Sequence, residues 1–299
     1  MKLVTYSPAA GGAQRPGLLL DGNRVVDIPA SVAPAAGVDF STMLGIIRGG
    51  DPARKALDAL AAKPPAATVA LADVKLHAPI PRPARNVFCV GWNYLEHFEE
   101  GAKKLQDNRE LPQWPVFFSK VPTTVNGPYD PIPFDAAIST SLDWEVELGV
   151  VIGPGGKDIK AEDAMNHVWG YTVINDVSWR DLQRRHGGQW HKGKSLDGTC
   201  PMGPVLVTAD SLDHANLRVT CRVNGVTKQD SNTKFLYFKL PRLIQDLSQG
   251  MTLEAGDILS TGTPEGVGYA RNPPEFLKPG DLLETQIEGI GTMRNPIGG

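Results

Sequence analysis

Two hydrophobic patterns divide the chain. In the first 75 residues, apolar runs at positions 3–6 and 17–28 predict short strands, and Asp21-Gly22-Asn23 inside the second suits the positive φ angles of a tight hairpin turn. Two helices are expected next. Ser41 is placed to cap a helix over 42–48 ahead of Gly49-Gly50, and Asp51-Pro52 opens an Ala-rich stretch that stops before Pro64-Pro65. Pro79, Pro81 and Pro83 exclude a central strand or helix interior, so residues 76–85 read as a linker after a small N-terminal α/β unit, residues 1–75. From residue 86 the pattern changes to apolar runs bounded by Gly, Pro, Asn and Asp, at 87–90, 116–118, 144–152, 168–174, 204–208, 218–223, 257–260 and 282–287. These predict an α+β, mostly β domain over 86–299, with helices at 94–105, 177–185 and 241–249.

Composition narrows the class. The 299 residues carry 30 basic and 33 acidic side chains, a net charge of -3, and no run of five basic residues that could follow a phosphate backbone, which argues against nucleic acid. No stretch of 18 uncharged apolar residues or signal-like start occurs, so neither a membrane span nor export is expected. Cys89, Cys200 and Cys221 are few, odd in number and outside any CxxC spacing, which fits a reducing, cytoplasmic setting.

The segment 141–152, SLDWEVELGVVI, concentrates acids. Strand period 2 places Asp143, Glu145 and Glu147 on one face, and like charges roughly 7 Å apart need a cation or full solvation. A solvated sheet face is the plainer reading. Against it stands Asp176, at the end of a predicted strand where a ligand is held firmly beside an open loop, with Arg180 and Gln183 four and seven residues on, at helical spacing. Ligands that are all oxygen favour Mg²⁺, Mn²⁺ or Ca²⁺ over Zn²⁺. The chain holds no GxSxG, HExxH or P-loop sequence, and Cys89 on an apolar strand reads as a core thiol.

The ordered set Glu145-Val-Glu147, Asn175-Asp176 with Arg180 and Gln183, Lys192-Gly-Lys194-Ser-Leu-Asp197, Cys200-Pro-Met-Gly-Pro204 and Thr261-Gly-Thr-Pro-Glu-Gly-Val-Gly268 resembles the fumarylacetoacetate hydrolase superfamily from about Leu76 onward. The resemblance implies a mixed β-sandwich or roll, a homodimer, and Glu145, Glu147 and Asp176 as ligands of Mg²⁺ or Mn²⁺. Gly91-Trp-Asn-Tyr94-Leu-Glu-His97-Phe-Glu-Glu100 is similar to the family's G-x-N-Y-x-x-H-x-x-E segment, and brings Tyr94 forward as a substrate contact. On a helix, His97 and Glu100 face the same way, so the carboxylate can fix the imidazole tautomer and raise its basicity. Residues 101–110 are expected to form a lid. Lys194 matches the family's active-site lysine, although Lys192 would share its face on a strand. Thr263 in its glycine-rich loop, Arg180, Gln183 and, more weakly, Lys120 are expected to bind substrate, and Trp92 and Trp190 flank the site segments.

The resulting expectation is metal-dependent hydrolysis of a carbon–carbon bond in a small 2,4-dioxo acid, an acylpyruvate or a relative of fumarylacetoacetate, through an enolate. His97 held by Glu100 would activate water, with Lys194 or Gln183 stabilising the oxyanion. The same site also suits a 2-hydroxyhepta-2,4-diene-1,7-dioate type isomerase, keto–enol exchange, or oxaloacetate decarboxylation. A Ca²⁺-binding protein without catalysis is the alternative from another class, and it would have no use for His97, Glu100 and Lys194.

Overall fold

A computed structural model describes residues 1–106 and 110–298. Its centre is three antiparallel strands, Val146–Ile152, Val168–Asn175 and Cys200–Thr208, buried at every position except Trp169. Both sheet faces are covered, which is why these sequences run apolar instead of alternating. Val146, Leu148 and Val150 enter one hydrophobic cluster, while Val151 and Ile174 enter another on the opposite side.

Around this centre lies a 12-stranded mixed sheet. Beyond Val146–Ile152 it continues through Ile258–Ser260, then Val87–Gly91, joined in parallel, and Val116–Lys120. Beyond Cys200–Thr208 it continues through Lys2–Pro8, Arg15–Leu20, Arg24–Asp27 and Val69–Ala70. A separate four-stranded sheet, ordered Val226–Asn232, Arg218–Val223, Leu282–Ile287 and Gly291–Pro296, contributes Val219, Cys221, Leu283 and Ile287 to the first cluster. The mostly β, α+β architecture agrees with the sequence pattern.

Several local expectations change. The hairpin is made by Arg15–Leu20 and Arg24–Asp27, and Asp27 caps a short helix, Ile28–Ser31, where the strand was expected to continue. Thr42, not Ser41, caps Met43–Arg48: its hydroxyl accepts from the Gly45 N–H, while Ser41 is engaged with Asp39. The presumed linker begins as a strand, because its prolines start only at residue 79. Val74–His77 therefore pairs with Lys2–Pro8, and Ala78 and Ile80 beyond it are buried. Residues 1–75 share a sheet and a core with the rest: Lys2 and Leu3 pair with Val207 and Leu206, and Leu18, Ile46 and Leu57 pack in one cluster with Val87 and Cys89. The three cysteines are free and buried. Among the described residues, no helix is long and apolar enough to cross a membrane.

Candidate active site

The carboxylates converge where the two central strands part. Glu145 donates its backbone N–H to Asn175 Oδ1 (3.0 Å), and the Asp176 N–H returns to the Glu145 carbonyl (2.9 Å), which pins the two residues across the strand ends. Glu147, one strand pitch further in, accepts from Ser260 Oγ (2.6 Å) and from the Gly262 N–H (2.9 Å). Glu145, Glu147 and Asp176 are all buried, and each offers an oxygen within 4.8 Å of the others.

Asp143 is a correction to the expected face of three acids along one strand. The strand is interrupted at Trp144 and Glu145, and Leu142–Asp143 pairs instead with Ser178–Trp179. Its carboxylate turns away to accept from the Gly268 N–H (2.6 Å), the Tyr269 N–H (3.0 Å) and Arg180 Nε (2.7 Å). Ser178–Trp179 also shortens the expected helix to Arg180–Arg185, so Asp176 reaches the cluster from a strand end rather than along a helix face.

Two cations brace the acids. Lys194 Nζ donates to Glu145 Oε2 (2.5 Å) and Asp176 Oδ2 (2.6 Å); Arg180 donates to Glu145 Oε1 (2.7 Å) and, at 3.1 Å, to Gln183 Oε1. Burial alone would raise the pKa of Glu145, but Arg180 and Lys194 outweigh it and hold that carboxyl far below the usual range. Among the described residues no cation pairs directly with Glu147, and Lys194 acts on it only weakly. Burial, Asp176 and Glu145 push its pKa well up. Lys194 stays charged because Asp176 and Glu145 overcome the desolvation that burial imposes.

Asp176 Oδ1 tests whether a metal fits. Lys120 Nζ lies 2.9 Å away, but its hydrogen bond goes to the Val177 carbonyl, and Oδ1 is a buried oxygen with no hydrogen-bond donor. Three clustered carboxylates, one with an oxygen that accepts no hydrogen bond, match the donor set of a hard divalent cation.

His97 and Glu100 sit on the helix Leu95–Leu105, with His97 Nδ1 and Glu100 Oε1 2.8 Å apart. Glu100 Oε2 accepts from the Gly266 N–H (3.0 Å). With the Glu100 carboxylate as acceptor Nδ1 is the donor of this bond, which leaves Nε2 as the ring nitrogen that can offer a lone pair. Of the stretch expected to be a lid, 101–105 continue this helix, and 107–109 lie outside the described residues.

Two glycines allow close approaches that shape the cavity. A Cβ on Gly91 would stand 2.4 Å from the Trp190 ring, and one on Gly193 would stand 2.3 Å from the Gln183 backbone nitrogen. Gly193 thus lets His191–Lys194 lie against Arg180–Arg185 and deliver Lys194 to the acids. Because this segment is a helix and not a strand, Lys192 turns outward. The cavity, about 330 Å³, is lined by His97, Glu145, Glu147, Arg180, Gln183, Lys194 and Thr263 among the expected residues, with Trp92 and Trp190 in its wall.

Tyr94, Glu100, Lys120 and Asp176 are not in that lining; Glu100 and Asp176 stand one layer back, against His97 and Lys194. Tyr94 is 1% exposed and packed in the hydrophobic core, and Lys120 is fully buried behind Asp176, so neither side chain reaches the cavity. Thr263 lines it with its hydroxyl already committed, donating to the Val146 carbonyl (3.0 Å) and accepting from Gln229 Nε2 (2.8 Å). Arg184 and Tyr269 line the cavity without having been singled out from sequence. Arg184 follows Arg180 by one helical turn, and Tyr269 directly follows the glycine-rich loop; these spacings were the available signals.

A mixed β-fold with a buried acidic triad, two bracing cations and a histidine–glutamate pair defines a metal-site enzyme family, and the chain belongs to it. The family described as fumarylacetoacetate (FAA) hydrolase C-terminal matches residues 86–298. Oxaloacetate tautomerase YisK of Bacillus subtilis (strain 168) is 48% identical over 229 residues, covering 76% of this chain and 74% of that protein. The fumarylacetoacetate hydrolase from psychrophilic Exiguobacterium antarcticum has a TM-score of 0.83 at 39% identity, covering 100% of this chain and 99% of that one. Maleylpyruvate hydrolase from Sphingobium sp. SYK-6, solved with manganese(II) and pyruvate, has a TM-score of 0.78 at 29% identity, with coverage of 100% and 99%.

Proposed function

We propose that this protein is a divalent-cation-dependent keto–enol tautomerase of 2-oxo acids of the oxaloacetate type. The observation that carries the proposal is His97: its Nδ1 is tied to Glu100 and its ring lines the same cavity as Glu145 and Glu147, so one base stands beside a site for a chelating head group. The 48% identity to an oxaloacetate tautomerase supports this choice over the hydrolase expected from sequence.

A cation held by Glu145, Glu147 and Asp176 would supply Lewis acidity toward the carboxylate and keto oxygen of a 2-oxo acid. The chain's own part is proton transfer. His97 Nε2 removes a proton from the carbon beside the keto group, the C–H electron pair becomes the C=C bond as the C=O π pair moves onto oxygen, and the enolate oxygen takes a proton from the His97 imidazolium or from solvent, in the latter case with His97 returning its own to water; the reverse path restores the ketone. Glu100, fixed by Gly266, keeps the imidazole in its basic tautomer. Lys194 and Arg180 hold Glu145 ionised, and Trp92 and Trp190 give the cavity an aromatic wall. Hydrolysis is the second reading, favoured by the likeness to maleylpyruvate hydrolase, with His97 taking its proton from water.

The test follows the enol absorbance of oxaloacetate in Mg²⁺, with pyruvate release from oxaloacetate and acetylpyruvate measured in parallel. Accelerated keto–enol equilibration without pyruvate, lost in His97→Ala, is the expected result. Cleavage of acetylpyruvate with no acceleration of tautomerisation would overturn the proposal in favour of hydrolysis.

A further inference from the structure

Arg180 was expected to anchor substrate, yet its guanidinium is buried and committed to Asp143, Glu145 and Gln183. Lys194 is likewise held by Glu145 and Asp176. The cavity nevertheless contains a third cation. Arg184 is exposed, lines the same space as His97 and Glu147, and lies 4.9 Å from the centroid of the Tyr269 ring, which Arg180 also approaches at 4.5 Å. Asp181 on the same helix is bound instead by Arg185 and Ser139, and among the described residues no acidic side chain forms an ion pair with Arg184.

We infer that Arg184 is the specificity-determining residue that receives the distal carboxylate of a dicarboxylic 2-oxo acid. The inference rests on the tautomerase reading for the identity of the head group. A 2-oxo acid whose head faces the acidic triad presents its other end to the remaining cavity wall, and there the guanidinium fork of Arg184 has N–H donors matched to a carboxylate. Stacking on Tyr269 limits the side chain's freedom before substrate arrives, which reduces the ordering needed on binding. The two positive-φ glycines that follow, Gly187 and Gly188, turn the chain sharply from Arg184 back to Trp190, so cation and aromatic wall belong to one loop.

The decisive comparison uses oxaloacetate and 2-oxobutanoate, which share a head group and differ by a carboxylate in place of a methyl. Dissociation constants are read from tryptophan fluorescence in the full-length protein with Mg²⁺. The expected result is that oxaloacetate binds about tenfold more tightly, in keeping with a partly solvated charge-assisted pair, and that added salt shrinks the preference. Arg184→Ala should bring the ratio near unity while the 2-oxobutanoate constant moves less than about twofold, and Arg184→Lys should restore part of the preference. A wild-type protein with no preference, or a preference that survives Arg184→Ala, would overturn the inference. An Arg184-dependent preference in a protein that does not tautomerise oxaloacetate would uphold it and remove the proposed reaction instead.

Discussion

Lys194→Met isolates the charge balance of the acidic triad. In the protein alone, the ammonium lies 2.5 Å from Glu145 Oε2 and 2.6 Å from Asp176 Oδ2, with all three groups buried. Breaking a buried ion pair by removing one partner typically costs about 3–5 kcal/mol. Glu145 keeps Arg180 at 2.7 Å and Asp176 keeps Lys120 at 2.9 Å, which places the expected loss near the lower end, about 3 kcal/mol. A cation at the triad should then replace much of what the methionine removes. At a hundred times its dissociation constant, a ligand bound only by the folded state stabilises it by about 2.7 kcal/mol, and the variant no longer has an ammonium competing for the same oxygens. Urea unfolding with EDTA and with saturating Mg²⁺ or Mn²⁺ makes the comparison. The expected outcome is a large destabilisation in EDTA that falls by about half or more with metal. An equal loss in both conditions would refute the idea that lysine and cation serve the same carboxylates.

Three further outcomes are expected. Glu100→Gln should lower the tautomerisation rate constant by roughly 100-fold, the low end for loss of a poised general base, with little change in the Michaelis constant, because the amide no longer compels Nδ1 of His97 to be the protonated nitrogen. Gly91→Ala, whose new Cβ would lie 2.4 Å from the Trp190 ring, should displace that ring, alter tryptophan emission and weaken oxaloacetate binding while Mg²⁺ still binds. The carboxyl of Glu147 has a folded pKa raised above its unfolded value, so its contribution to stability is fully present below the unfolded pKa and is lost as pH rises through the folded one. Chemical unfolding across pH in EDTA should show that decline, Glu147→Gln should flatten it, and calorimetry should detect proton release when Mg²⁺ binds.

Much of the site is legible in sequence because its spacing is local. Glu145 and Glu147 share a strand face, and His97 and Glu100 share a helix face; backbone period alone joins each pair. Asp176 could be added only through the order of motifs along the chain, since its approach to Glu145 depends on how two strands part. The failures have the same origin. Asp143 looks like a third acid on the strand until the ladder breaks at Trp144, and Lys192 rivals Lys194 only if their segment is extended. Lys120 and Tyr94 carry the right chemistry in the right neighbourhood, but the Lys120 ammonium is held at the Val177 carbonyl and Asp176 while Tyr94 packs in the core, and no spacing in the sequence signals either. Arg184 was accessible to a fuller use of helical spacing from Arg180. The union of the N-terminal strands with the main sheet was not, because Leu3 finds Leu206 across about two-thirds of the chain.

That last pairing bears on how the protein is made. At the usual pace of synthesis, roughly 5–20 residues per second, the strand Lys2–Pro8 precedes its partner at Cys200–Thr208 by about 10 to 40 seconds. Unprotected edges in nascent chains invite association between neighbours on a polysome. Here the interval is guarded: Arg15–Leu20 occupies one edge of Lys2–Pro8, and Val74–His77 covers residues 5–8 of the other. Both partners emerge early, so only the Lys2–Leu3 end of the second edge waits for the ribosome to deliver the centre of the sheet.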